Sequence, residues 1–180
     1  VRFENYFNLH AGRQVDKWQH YFPIYDRHLG PHQATAKRVL EIGIDHGGSL
    51  QIWKRFFPDA EIVGVDINPV CKRFEEDRIS VCIGSQDDRE FLSGLGEFDI
   101  VIDDGSHNLR DQEISFSALW PRTKSVYLIE DCHGPYPAIG GGLRYEYPWV
   151  VAIERPRRII KGEPSRELRA DEIEARKQYA

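Results

Sequence analysis

The chain has 180 residues, with 24 Lys plus Arg against 29 Asp plus Glu and a formal charge of −5. Hydrophobic residues make up 41% and charged residues 29%, which excludes a disordered chain and fits one globular domain with a real core. The mild acidity argues against nucleic acid as a partner, and no apolar run approaches the roughly 20 residues that span a bilayer.

The N-terminus VRFENYFNLH lacks a signal-peptide pattern. Cys71, Cys82 and Cys132 are too few and too scattered for a disulfide framework or a zinc site. Both features predict a cytoplasmic protein with reduced thiols.

Residues 1–36 form an aromatic-rich front segment carrying Phe3, Tyr6, Phe7, Trp18, Tyr21, Phe22 and Tyr25, expected to pack as helices over a sheet or over the site. Residues 37–155 alternate short apolar runs with helical patterns. The runs are RVLEIG (38–43), EIVGVDI (61–67), ISVCIG (79–84), FDIVIDD (98–104) and SVYLIED (125–131). They are β-branched and nearly continuous in apolar character, as strands buried on both faces of a parallel sheet should be. Residues 48–57 place Leu50, Trp53, Phe56 and Phe57 on one helical face before Pro58. Residues 87–95 open on Asp87 and Asp88, a helix start, and residues 109–119 carry Ile114, Phe116 and Leu119 before Pro121.

This alternation predicts an α/β fold, a doubly wound and mostly parallel sheet with ligands at the strand C-terminal edge. After the glycines 140–142 the chain is short for this class: a further helix and strand normally precede WVVAIE (149–154). Either the fold is trimmed there or residues near Arg144 are missing from the sequence, which also contains no methionine. Residues 156–180 form a charged tail, helical from 164 in pattern, with alternating signs that suit a solvated face.

Chemistry gathers at the strand ends. Glu41, Gly43, Gly47, Gly48 and Ser49 make an acid-plus-glycine turn into a helix, where backbone can approach a ligand closely. The turn lacks the Lys-Ser/Thr ending of a phosphate loop. Asp66 ends the next strand, placed to accept both hydroxyls of a ribose. Gly84-Ser-Gln86-Asp-Asp88 follows the third strand, where adenine contacts fall, although helix capping explains these residues as well. Asp103, Asp104, Glu130 and Asp131 crowd two adjacent strand ends and would repel one another without a cation between them. Hard oxygen ligands without a cysteine pair favour Mg²⁺ or a similar ion. His107 is placed to turn back over that ion as a general base.

These motifs resemble the class I S-adenosylmethionine-dependent methyltransferases. The segments DKW, QHYFPIY, VLEIG, HGGSLQIWK, VGVDI, IGSQDD, DIVIDDGSH and IED are similar to the metal-dependent sugar O-methyltransferases of natural-product pathways, a group near the cephalosporin hydroxylase-like proteins. The likeness runs from about residue 16 to 142. It implies methyl transfer from S-adenosylmethionine to a sugar hydroxyl of a glycoside or nucleotide sugar. It implies Asp104, Glu130 and Asp131 as Mg²⁺ ligands and His107 as base. It places Glu41, Gly43, Gly47, Ser49, Asp66, Gln86, Asp88 and Asp103 at the cofactor.

Two rivals stay open. One is an iron oxygenase drawing two histidines and a carboxylate from His107, His133, Asp104 and Asp131. The other is a cofactor-binding subunit without turnover. A homo-oligomer is compatible with all three. The front segment is expected to wall the pocket through Asp16, Lys17 and Tyr21, because sugars need aromatic faces and hydrogen-bond donors.

Overall fold

The computed structural model describes residues 1–132, 143–146 and 150–154; His133, the glycines 140–142 and the charged tail 156–180 lie outside the described residues. Seven strands build one sheet: β1 (Arg38–Ile42), β2 (Glu61–Asp66), β3 (Ile79–Ile83), β4 (Phe98–Asp103), β5 (Thr123–Ile129), β6 (Leu143–Glu146) and β7 (Val150–Glu154). Their order is β3-β2-β1-β4-β5-β7-β6. The first five run parallel, and β7 lies antiparallel between β5 and β6.

Alternate residues feed two cores. Val39 packs with Ile62, Ile100 and Val126 on one face, and Leu40 and Ile42 with Val63, Val101 and Ile129 on the other. Burial on both faces is why these strands read as continuous apolar runs. The first face is covered by α1 (Phe3–Asn8), α2 (Phe22–His28) and α3 (Gly48–Phe56), the second by α4 (Arg89–Gly94) and α5 (Leu109–Leu119). Leu50, Trp53, Phe56 and Phe57 are all fully buried, as their spacing predicts. In α5 the buried side differs from expectation: Gln112 and Ser115 turn inward with Phe116 and Leu119, and Ile114 is only half-buried.

The front segment belongs to the first core. Phe3 sits 4.6 Å from Tyr25, 5.0 Å from Trp53 and 5.6 Å from Phe56, ring centre to ring centre. Its backbone N–H donates to Asp26 Oδ1 at 2.6 Å. No described helix is long and apolar enough to cross a membrane.

The strand order reverses between β1 and β4, so the connections from these two strands leave to opposite sides and open a crevice at their C-terminal ends. Gly43 N–H donates to Val65 O at 2.8 Å, and Asp104 N–H donates to Ile42 O at 2.9 Å, so the loops after β1, β2 and β4 meet there.

Candidate active site

Two clefts share this edge. The larger, about 510 Å³, is lined by Asp16, Lys17, Trp18, Tyr21, Asp45, Asn68, Cys71, Asp104, His107, Glu130 and Asp131. The smaller, about 290 Å³, is lined by Ile67, Gly84, Gln86, Asp87, Ser106 and Asp111 among others. Gly43, Asp66 and Gly105 border both. Gly43 has φ +79°, and a Cβ there would meet Asp104 O at 2.1 Å; only glycine lets the two loops come this close.

Asp66 is held open as an acceptor. Its Oδ2 takes the backbone N–H groups of Ile44 and Asp45, at 3.0 and 3.3 Å, and its Oδ1 that of Asn68 at 2.8 Å. Asp45, His107 and Asp131 have φ of 42°, 57° and 49°, left-handed values costing about 1–2 kcal/mol each for non-glycine residues. All three line the larger cleft, so backbone strain is concentrated at the site.

The floor of that cleft is acidic. Ligand atoms of Asp104, His107 and Asp131 lie within 4.8 Å of one another, the one such cluster among the described residues. His107 Nε2 stands 3.7 Å from Asp131 Oδ2. Lys17 enters from the front segment with its side chain 4% exposed, and its ammonium donates to Asp104 Oδ2 at 2.6 Å and Glu130 Oε2 at 2.9 Å. Glu41 Oε1 lies 3.5 Å from the same nitrogen. Tyr25 OH donates to Glu130 Oε1 at 2.8 Å, and Tyr21 OH donates to Asp131.

Burial alone would push the Lys17 pKa down. Attraction to Asp104 and Glu130, with Tyr25 and Glu41 behind them, outweighs it and holds the ammonium well above its usual range. Burial raises the Glu130 carboxyl, Lys17 opposes that rise, and Asp104 adds to it. Burial and the bond to Asp131 keep the Tyr21 hydroxyl protonated far beyond the usual phenol range.

The carboxylates suit a hard divalent cation: Asp104 and Asp131 converge beside the His107 imidazole, and the buried Lys17 ammonium already rests against Asp104. Among the residues expected as metal ligands, Asp104 and Asp131 come together with His107 at the opening. Glu130 lies beneath them, with its two oxygens on Lys17 and Tyr25. An iron site of two histidines would need His133, outside the described residues.

The expected cofactor residues divide. Gly43, Asp66 and Gln86 line the clefts; Glu41, Gly47, Ser49, Asp88 and Asp103 line neither. Strand alternation turns Glu41 under the floor, where it accepts from Ser49 Oγ at 2.6 Å and Trp53 Nε1 at 2.9 Å. Asp103 turns to the other face, accepting from Gln86 Nε2 at 2.6 Å, Ser115 Oγ at 2.5 Å and Tyr127 OH at 3.1 Å. Gln86 also accepts from Ser106 N–H at 2.8 Å, so Asp103 acts on the cleft through Gln86. Asp88 caps α4, accepting from Phe91 N–H at 2.9 Å. Gly47 fits because a Cβ would meet the Phe74 ring at 2.7 Å. The sequence puts Tyr25 in the aromatic front segment and Asp45 inside the glycine turn, but marks neither these nor Cys71 as site residues; Tyr25 and Glu130 are 105 residues apart.

No family model matches the chain. Over 146 residues it is 40% identical to the 8-demethyl-8-(2-methoxy-alpha-L-rhamnosyl)-tetracenomycin-C 3'-O-methyltransferase of Streptomyces olivaceus, covering 73% of this chain and 37% of that protein. Over 142 residues it is 44% identical to the demethylmacrocin O-methyltransferase of Streptomyces fradiae, covering 69% and 36%. Over 137 residues it is 43% identical to the mycinamicin VI 2''-O-methyltransferase of Micromonospora griseorubida, covering 68% and 34%. The chain thus spans between 34% and 37% of the length of these relatives. Its structure superposes on the MycE methyltransferase of the mycinamycin biosynthetic pathway, solved with Mg, SAH and mycinamycin VI. That match has a TM-score of 0.72 at 28% identity and covers 98% of this chain and 59% of that one. The chain is therefore homologous to sugar O-methyltransferases of macrolide and tetracenomycin biosynthesis, and its fold is that of a class I methyltransferase.

Proposed function

We propose that this chain carries the catalytic site of a metal-dependent O-methyltransferase that moves a methyl group from S-adenosylmethionine to a sugar hydroxyl of a glycoside in natural-product biosynthesis. One observation carries the reading: a cleft bordered by Asp66 and Gln86 and the Asp104–His107–Asp131 cluster open on each other across Gly43 and Gly105. The homologies to glycoside methyltransferases support it.

Asp66 would accept the two ribose hydroxyls, its oxygens already aimed by three backbone amides. The smaller cleft would take the adenine beside Gln86, and Gly43 and Gly105 leave room for the rest of the cofactor. Asp104 and Asp131 would hold the divalent ion, with Glu130 and Lys17 behind them. When bound, that ion supplies Lewis acidity that eases loss of the acceptor's hydroxyl proton. His107 Nε2 would receive the proton, with Asp131 Oδ2 3.7 Å from it. Tyr21 fixes Asp131 and Lys17 fixes Asp104, so the acceptor meets a rigid rim; orientation supplies much of the acceleration in such a displacement.

The test is methyl transfer, followed by mass spectrometry, from S-adenosylmethionine with MgCl₂ to mycinamicin VI, demethylmacrocin and 8-demethyl-8-alpha-L-rhamnosyl tetracenomycin C. Methylation of one of them is expected, with EDTA abolishing it and His107→Ala lowering it at least about 100-fold. Full activity in both His107→Ala and Asp104→Ala would overturn the assignment.

A further inference from the structure

Trp18 is the one aromatic among the exposed large hydrophobic residues described, with 62% of its surface open to solvent. It lines the same cleft as Asp104, His107 and Asp131. An exposed indole is costly to keep in water, and this one is held in place on both sides. Lys17 before it is tied to Asp104 and Glu130, and Tyr21 after it to Asp131. The Trp18 carbonyl accepts from Tyr21 N–H at 2.9 Å, closing the turn between them, and the His20 ring lies 5.8 Å from the indole. The result is a flat apolar plate on a fixed backbone, next to an acidic, hydroxyl-seeking centre.

A pyranose has matching chemistry. One ring face presents C–H groups, and the hydroxyls project from the edge. We propose that Trp18 is a positioning residue on which the acceptor sugar stacks by its apolar face, so that a ring hydroxyl reaches Asp104, His107 and Asp131. The plate selects for a ring with an uninterrupted C–H face, and Asp16 at the same rim accepts from outer hydroxyls. The inference rests on the methyl-transfer reading above and adds the residue that orients its acceptor.

The experiment uses the whole chain labelled with ¹⁵N at its tryptophans, saturated with adenosylhomocysteine and MgCl₂. The Trp18 indole signal is identified by its loss in Trp18→Phe. Adding methyl α-L-rhamnopyranoside should move that signal and leave the buried Trp53 signal in place. Trp18→Ala should weaken glycoside binding about fivefold or more, Trp18→Phe should restore most of it, and adenosylhomocysteine affinity should be the same in all three. With a methylated acceptor, the alanine variant should raise KM and change kcat little. Rhamnoside binding that leaves the indole signal unmoved, wild-type affinity in Trp18→Ala, or no rhamnoside binding at all overturns the role of Trp18. A rhamnoside-sensitive Trp18 in a chain that neither binds adenosylhomocysteine nor transfers methyl groups supports the plate and overturns the methyl-transfer reading instead.

Discussion

Lys17 contributes through charge rather than reach. Its ammonium neutralises part of a cluster in which Asp104, Glu130 and Glu41 all lie within 3.5 Å of it. Replacing it by methionine keeps the side-chain length and leaves buried carboxylates without their cation. Breaking a buried pair this way costs about 3–5 kcal/mol, and Lys17→Met should show that loss in urea denaturation at pH 7. MgCl₂ should recover more stability in the variant than in the wild type, because the freed acids then meet a divalent ion; equal stability of the two proteins without metal would refute this. Cys71, in the same cleft, is the opposite case. Burial, with Asp66 beside it, pushes its thiol up to about 11, so it stays protonated at neutral pH and should resist iodoacetamide after an hour at pH 8. The sequence marks Asp66, Asp104 and His107 because each ends or follows a strand in a recognisable motif. It marks Lys17 as a wall of the pocket, where the structure places it, but not as the counter-ion of the acids, since its partners Asp104 and Glu130 are 87 and 113 residues away.

At the scale of elements, the strand ends do the positioning, and alternation along a strand decides which acid faces a ligand. Glu41 and Asp103 end apolar runs just as Asp66 does, yet they point into the two layers beside the sheet. That difference is invisible in a run buried on both faces, where neither side is polar. The fate of Asp103 has a measurable consequence. Burial raises its carboxyl to about 6, against the hydrogen bonds from Ser115, Tyr127 and Gly105 that favour the charged form. A raised acid binds its proton more tightly when folded, so its contribution to stability falls as pH rises from about 4 to 6 and is constant above. The stability of wild type minus that of Asp103→Asn should follow this slope, by up to about 3 kcal/mol. A flat difference across that range would mean that Asp103 titrates as an ordinary carboxylate. Gly43→Ala tests the close approach of β1 and β4: with φ +79° and a Cβ 2.1 Å from Asp104 O, the loops must part. A loss of at least about 1 kcal/mol in stability is expected, with adenosylhomocysteine affinity falling alongside. The five parallel strands and α3, α4 and α5, three of the five described helices on the sheet, are legible from apolar patterning and start signals. β6 is not, because LRYE is half charged and too short to show a period.

On the scale of the whole molecule, composition divides the chain near residue 36, but packing does not. The aromatic residues of α1 and α2 share one core with α3 and the sheet, and the same residues support the acidic floor: Tyr25 holds Glu130, and Trp53 holds Glu41. Phe3 lies at the centre of this arrangement, 1% exposed, against Phe22, Tyr25, Trp53 and Phe56. None of these four ring partners lines either cleft, so Phe3 tests the link between core and site. Phe3→Ala removes a whole ring from a packed layer, and such truncations cost about 3–5 kcal/mol. Because the segment is part of the core, the loss should appear as one cooperative urea transition at lower denaturant, with α1 and β1 losing hydrogen-exchange protection together. Magnesium binding should weaken as well, since Tyr25 and Trp53 no longer fix Glu130 and Glu41 beneath Asp104 and Asp131. Were the front segment only laid over a finished sheet, exchange would quicken in residues 1–36 alone and the unfolding of β1 to β5 would not move, an outcome inconsistent with a shared core.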